Sequence, residues 1–204
     1  MILGITGGVG SGKTMVLKYF HEKFQAEIIE MDQVGKMISK SGQSAYQKIL
    51  DTFGTKLKDS KTCEIDRAKL AAIVFQNNEK LEQLNQIIHP LVKEYVLNKI
   101  KIAKENNEFL IIESAILFEA GYESYCDAIC YIYADEKIRY DRLRKNRGYT
   151  DEKTKIIISN QNSESFYKEN CDYIIDNSMT QESTYAQIDT FMEHLKSNMA
   201  SKKN

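Results

Sequence analysis

Eight residues near the start of the chain, Gly7-Gly8-Val9-Gly10-Ser11-Gly12-Lys13-Thr14, constrain its fold more than any other segment. They match G-x-x-x-x-G-K-[ST], follow directly on the apolar run Ile2–Thr6, and open the helical pattern Lys13–Phe24. That context, a buried strand before and a helix behind, is what the motif needs. Glycines at 7, 8, 10 and 12 let the backbone curl so that successive N–H groups line an anion nest. The helix that follows adds the positive end of its dipole. The pattern predicts that Gly8, Val9, Gly10, Ser11, Gly12, Lys13 and Thr14 bind the phosphates of ATP. Lys13 reaches the β- and γ-phosphates and the Thr14 hydroxyl ligates Mg²⁺. By itself the motif does not separate kinases from GTPases, motor ATPases or regulators, although no Asn-Lys-x-Asp guanine-reading motif follows.

Along the rest of the chain, short apolar runs bounded by turns alternate with helical patterns, which predicts an α/β fold around a parallel sheet. Strands are expected at Ile2–Thr6, Glu27–Glu30, Phe109–Glu113, Ala128–Tyr133 and Tyr173–Ile175. Runs such as Leu110-Ile111-Ile112 are apolar on successive residues, as strands covered on both faces should be. Helices are expected at Lys13–Phe24, Gln33–Ser39, Ser44–Phe53, Arg67–Phe75, Asn78–Ile87, Leu91–Asn106, Glu136–Lys145, Asp151–Asn160 and Glu182–Ser197. The chain thus reads as a nucleotide-binding core, residues 1–32 and 107–204, interrupted by a helical insert at 33–106. A smaller helical excursion, about 136–170, lies within the core. Only the polar tail Ser197–Asn204 reads as frayed.

The bulk composition narrows the ligand. With 28 basic against 29 acidic residues the formal net charge is −1 over 204 residues. No general field favours nucleic acid or a membrane surface, so any polyanion site is a local pocket for a small molecule. The four cysteines, Cys63, Cys126, Cys130 and Cys171, form no CxxC pair and have no histidine at metal spacing, which reads as reduced thiols. No basic leader or long apolar run is visible, and the expected location is cytoplasmic. No heptad run marks an oligomer.

Several residues carry two readings. Ile28-Ile29-Glu30-Met31-Asp32 ends the second strand, where ligands of open α/β sheets bind. Asp32 there either orients an acceptor hydroxyl and takes its proton or caps the helix at Gln33. Glu113, ending Phe109-Leu110-Ile111-Ile112-Glu113, fits an acid on the Mg²⁺ side. Arg139 and Arg142 share a helix face; with Arg144 and Arg147 they either face a transferring phosphoryl group or form a solvated face paired with Glu136 and Asp141. His89-Pro90 holds the only proline in the chain, which is expected to end one helix and start the next. A histidine there serves as a structural hydrogen-bonder or a ligand. Arg67 and Lys93 in the insert are candidates to meet an anionic acceptor.

In this order the pieces resemble the dephospho-coenzyme A kinases over about residues 1 to 195. The resemblance is carried by Gly4–Thr14, Glu30-Met31-Asp32, Ile65-Asp66-Arg67 with Phe75, and His89-Pro90. It continues in Leu117-Phe118-Glu119, Arg142-Leu143, Gln161 and Asp172-Tyr173-Ile174-Ile175-Asp176-Asn177. It implies a P-loop NTPase fold, a three-layer α/β/α architecture with a five-stranded parallel sheet, a helical acceptor-binding insert and a helical lid. It also implies ATP- and Mg²⁺-dependent phosphorylation of the 3′-hydroxyl on the ribose of dephospho-coenzyme A, with no nucleic acid or membrane partner. Asp32 would be the catalytic carboxylate with Lys13 and Arg142, and residues 139–161 the lid over ATP. Arg67 and His89 would lie near dephospho-coenzyme A, Asn177 near the adenine of ATP, and Thr14 and Glu113 at the metal. Glu30 and Glu113 stand where the family usually has Asp, and Ala115 stands for its Pro. The rival readings are a nucleoside monophosphate kinase, whose anionic acceptor needs no carboxylate at 32, and a non-catalytic ATP-binding switch.

Overall fold

The computed structural model describes residues 1–75, 77–159 and 161–201, with side chains through Asn198. In chain order the elements are strand β1 (Ile2–Thr6), helix α1 (Lys13–Phe24), β2 (Glu27–Glu30), helices α2 (Met31–Ile38), α3 (Tyr46–Phe53), α4 (Arg67–Val74) and α5 (Asn78–Glu105), β3 (Leu110–Glu113), β4 (Ala128–Tyr133), helices α6 (Glu136–Arg147), α7 (Asp151–Ser159) and α8 (Glu164–Asn170), β5 (Tyr173–Asp176) and α9 (Gln181–Ser201). Short 3-10 turns lie at Thr55–Leu57 and Glu123–Tyr125. Two compact units emerge: Met1–Ile28 with the chain from Asn107 onward, and Ile29–Asn106.

The strands form one five-stranded sheet in the order β2-β3-β1-β4-β5. β1 runs parallel to β3, with Ile2 opposite Leu110, and parallel to β4, with Leu3 opposite Ala128. Strand β4 continues the ladder to β5, Cys130 lying opposite Tyr173. All of β1 and β3 is buried, which is why their sequences show no alternation of polar and apolar residues. Two aspartates in matching places tie the strand ends together. Asp127, just before β4, accepts from the Ile2 amide at 2.7 Å, and Asp172, just before β5, accepts from the Ile129 amide at 2.7 Å. The core under the sheet gathers Leu3, Ile5, Phe20, Ile111, Ile132 and Phe191; each such side chain contributes roughly 1.5–3 kcal/mol by leaving water. That buried sheet is the rigid base from which the β1–α1 loop is held.

The second unit is helical. Sequence reasoning divides α5 at Pro90, yet the helix runs unbroken from Asn78 to Glu105. Pro90 supplies no N–H for the turn and costs roughly 3 kcal/mol in a helix interior. It sits on the exposed side together with Gln86, four residues before it. The opposite face buries Val92, Val96, Ile100 and Ala103, and continuing the helix is what keeps them packed. Asp32 is not a helix cap: α2 begins at Met31 with Glu30 as N-cap, which places Asp32 in the first turn. There its charge complements the helix dipole. Helix α8 was not expected; seven residues are too few to show a period, although Ser163 caps it by accepting from the Phe166 amide at 3.2 Å. Asn160, at the end of the expected helix Asp151–Asn160, and Lys202–Asn204 of the expected frayed tail lie outside the described residues. Among those described, no helix is long and apolar enough to cross a membrane.

Candidate active site

The loop from Gly7 to Gly12 leaves β1 and turns into α1, and close packing on its outer side dictates its glycines. Gly10 and Gly12 have φ of 85° and 89°, left-handed backbone that side chains disfavour. A Cβ at Gly10 would lie 3.0 Å from the Arg139 carbonyl and 3.1 Å from Leu143 Cγ, because α6 packs directly on the loop. At Gly12 it would lie 2.1 Å from the Asn177 amide nitrogen.

Inside the curl, Lys13 Nζ donates to Gly7 O at 2.8 Å and lies 3.6 Å from Glu113 Oε1. Glu113 is buried at the end of β3 and Thr14 is exposed in the first turn of α1. Ser11 Oγ is buried without a hydrogen-bond partner, and among the described residues no protein acceptor takes the amides of Gly10 and Gly12. A buried hydroxyl of this kind calls for a partner from outside the chain, and a phosphate oxygen supplies one. The residues therefore fit a nucleotide's phosphates.

Arg139 and Arg142 close the outside of the loop. Arg139 Nε donates to Val9 O at 2.9 Å, and its Nη2 donates to Gln161 Oε1 at 2.7 Å. The same Gln161 oxygen accepts from the Val9 amide at 3.2 Å. Arg142 donates to Ser11 O at 3.2 Å and to Asn177 O at 2.8 Å. These two arginines thus face the loop and not Glu136 or Asp141, while Arg144 and Arg147 are exposed. The division follows from Leu143, which is 1% exposed and turns α6 so that its i,i+3 pair meets the loop. Asp135 starts this helix by accepting from the Lys137 amide at 2.9 Å, and Gly148, at φ 61°, ends it.

Asn177 is buried just past β5. Its Nδ2 donates to Ser11 O at 2.6 Å and its Oδ1 accepts from the Thr184 hydroxyl at 2.9 Å. Its side chain is thus engaged with the loop itself. Beside Gly8 a cavity of about 260 Å³ is lined by Tyr131, Tyr133, Arg139, Gln161 and Tyr167 among others. Burial pushes the Tyr131 phenol up to about 12, against the opposing pull of Arg139. The Tyr167 phenol is raised for the same reason, burial. Both stay neutral hydrogen-bonding groups near pH 7.

Asp32, Arg67 and His89 all belong to the second unit. Asp32 and His89 are exposed. Arg67 donates to Lys36 O at 3.0 Å, tying α4 to the last turn of α2. Gly35 of α2 lies against Ile88 of α5, a Cβ there being 3.6 Å from Ile88 Cγ2. The three candidates therefore sit on one packed helical body. Sequence reasoning did not anticipate the parts played by Gln161 and Thr184. Gln161 was legible only through resemblance, and an ordinary threonine inside α9 carries no local signal. Among the described residues no cluster of three or more His, Cys, Asp or Glu could hold a metal unaided.

A family model described as "CoaE: Dephospho-CoA kinase" matches residues 1–182. The dephospho-CoA kinase of Fusobacterium nucleatum is 36% identical over 195 residues, 95% of this chain and 97% of that protein. The one from Carboxydothermus hydrogenoformans is 37% identical over 196 residues, 96% of this chain and 94% of that protein. Among solved structures, the dephospho-CoA kinase from Campylobacter jejuni superposes with a TM-score of 0.72 at 23% identity, covering 97% of this chain and 98% of its own. The shikimate kinase of Acinetobacter baumannii, solved with shikimate, superposes with a TM-score of 0.53 at 14% identity, covering 97% and 93%. At these identities the two superpositions show the P-loop kinase fold alone.

Proposed function

The chain belongs to the dephospho-CoA kinase family, and from that premise we propose how its residues divide the work of the family's reaction. That reaction is the last step of coenzyme A biosynthesis: the γ-phosphate of ATP passes to the 3′-hydroxyl on the ribose of dephospho-coenzyme A, leaving ADP. The single observation that carries the assignment of the ATP site is the glycine loop, whose buried Ser11 hydroxyl and two of whose amides find no protein partner among the described residues. Phosphate oxygens take those donors. Lys13, now resting on Gly7 O, transfers its ammonium to the β- and γ-phosphates, where it offsets charge in transfer. Arg142 steadies the loop from outside, and the phosphate end adjoins the cavity at Gly8.

Mg²⁺ would be held by Thr14 and Glu113 together with phosphate oxygens and water. One or two protein oxygens suffice for this ion, in keeping with the lack of a larger acidic cluster among the described residues. When bound it neutralises charge that builds on the transferring group. The second unit, residues 29–106, is read as the acceptor-binding body. Asp32 is the base that orients the hydroxyl and takes its proton, and Arg67 and His89 bind dephospho-coenzyme A. A hydroxyl acceptor needs such a carboxylate, whereas a monophosphate acceptor does not.

A coupled ADP assay with dephospho-coenzyme A, AMP, CMP, UMP and adenosine tests the reading. ADP production is expected with dephospho-coenzyme A alone. Turnover on a monophosphate with none on dephospho-coenzyme A would replace the acceptor. ATP binding without turnover on any acceptor would make the chain a switch.

A further inference from the structure

Asn177 uses every polar group it has. Its backbone N–H donates to Tyr133 O at 2.8 Å, extending the β4–β5 ladder, and its carbonyl accepts from Arg142 at 2.8 Å. Its side-chain nitrogen donates to Ser11 O at 2.6 Å, and its side-chain oxygen accepts from Thr184 Oγ1 at 2.9 Å. The amide orientation is chemically forced. Ser11 O is an acceptor, so the NH₂ end must face it, and the oxygen is then turned to the Thr184 hydroxyl at 2.9 Å, whose proton also has the Thr180 carbonyl within reach at 3.2 Å. Asn177 is 2% exposed and Thr184 0%, and unlike the Ser11 hydroxyl the polar atoms of both side chains already have protein partners.

The consequence lies in the peptide between Ser11 and Gly12. In a trans peptide the carbonyl and the N–H point in opposite directions. Holding Ser11 O outward on Asn177 therefore turns the Gly12 N–H inward, toward the anion nest. We infer that Asn177 and Thr184 are positioning residues for ATP: Thr184 fixes the amide of Asn177, and Asn177 fixes the direction of a phosphate-binding N–H without itself contacting nucleotide. The inference rests on the ATP-site reading of the glycine loop. It replaces contact with adenine by an action through the loop backbone.

The test compares Thr184→Val, Thr184→Ser and Asn177→Asp by calorimetric titration with ATP, by thermal melting, and by KM for dephospho-coenzyme A. Valine keeps the shape of threonine and removes the donor; the orphaned amide is expected to weaken ATP about tenfold. Serine should restore wild-type affinity. Asn177→Asp, the same size, sets an acceptor against Ser11 O and should weaken ATP by more than Thr184→Val; it also serves where valine leaves too little folded protein. KM for dephospho-coenzyme A should stay within about twofold in all of them. A lowered melting temperature with unchanged ATP affinity would reduce both residues to packing and overturn the inference, as would equal losses for ATP and acceptor. ATP titration needs no acceptor, so this outcome is independent of whether dephospho-coenzyme A is phosphorylated.

Discussion

Gly12→Ala puts the geometry of the loop to a quantitative test. The added Cβ would lie 2.1 Å from Asn177 Nδ2 at a φ of 89°, a separation that no pair of such atoms sustains. Two costs arise. A side chain at left-handed φ costs roughly 1–2 kcal/mol, and pushing Asn177 away leaves its buried amide unpaired and Ser11 O with Arg142 as its remaining partner, at roughly 1–3 kcal/mol. Gly121→Ala is the control, because Gly121 has φ 71° and nothing within 4 Å of a Cβ. That variant carries only the backbone cost, seen as a melting temperature lower by about 2–8 °C for a chain of this size. Gly12→Ala relieves its clash by moving the Ser11–Gly12 peptide, so its second cost should emerge as lost nucleotide affinity, about 5- to 150-fold. Titration of both variants with ATP, alongside melting curves, reads the two costs separately. Should Gly12→Ala bind ATP within twofold of Gly121→Ala, the loop does not depend on Asn177 and the reasoning fails.

Other expectations follow from the same site. Asp32→Asn should lower kcat by at least ~10² while ATP affinity stays near wild type; preserved turnover would discard the base at position 32. Lys13→Ala should lose nearly all activity, and a normal kcat there would refute the role of its ammonium. Stability should fall at high pH, because burial raises Tyr122 and Tyr131 to about 12 from the ordinary phenol value and Cys171 to about 12 from the ordinary thiol value. A raised folded-state pKa favours the protonated group, so this stability is complete below roughly pH 8, declines above it as first the unfolded thiol and then the unfolded phenols ionise, and is lost as the pH rises through about 12. Melting curves from pH 8 to 12 should show the decline, with Tyr131→Phe flattening it; an unchanged profile in that variant would remove Tyr131 from the account.

What the amino-acid sequence determined alone is whatever depends on neighbours along the chain. The strand-loop-helix unit of Ile2–Phe24 could be read to the residue, since glycine spacing, the apolar run and the helical period all lie within one short stretch. Helix α5 marks the edge of that reach, since the local rule for Pro90 yields to a buried face that only packing assembles. The site needed tertiary structure for a different reason. Arg139, Arg142, Arg144 and Arg147 are alike in local pattern, and only the seating of Leu143 against Gly10 separates the two that grip the loop from the two that face water. Asn177 meets Ser11 across 166 positions of chain. Hydrogen bonds of that kind are specified by where a parallel sheet brings its strand ends, and no residue's immediate neighbours carry that information.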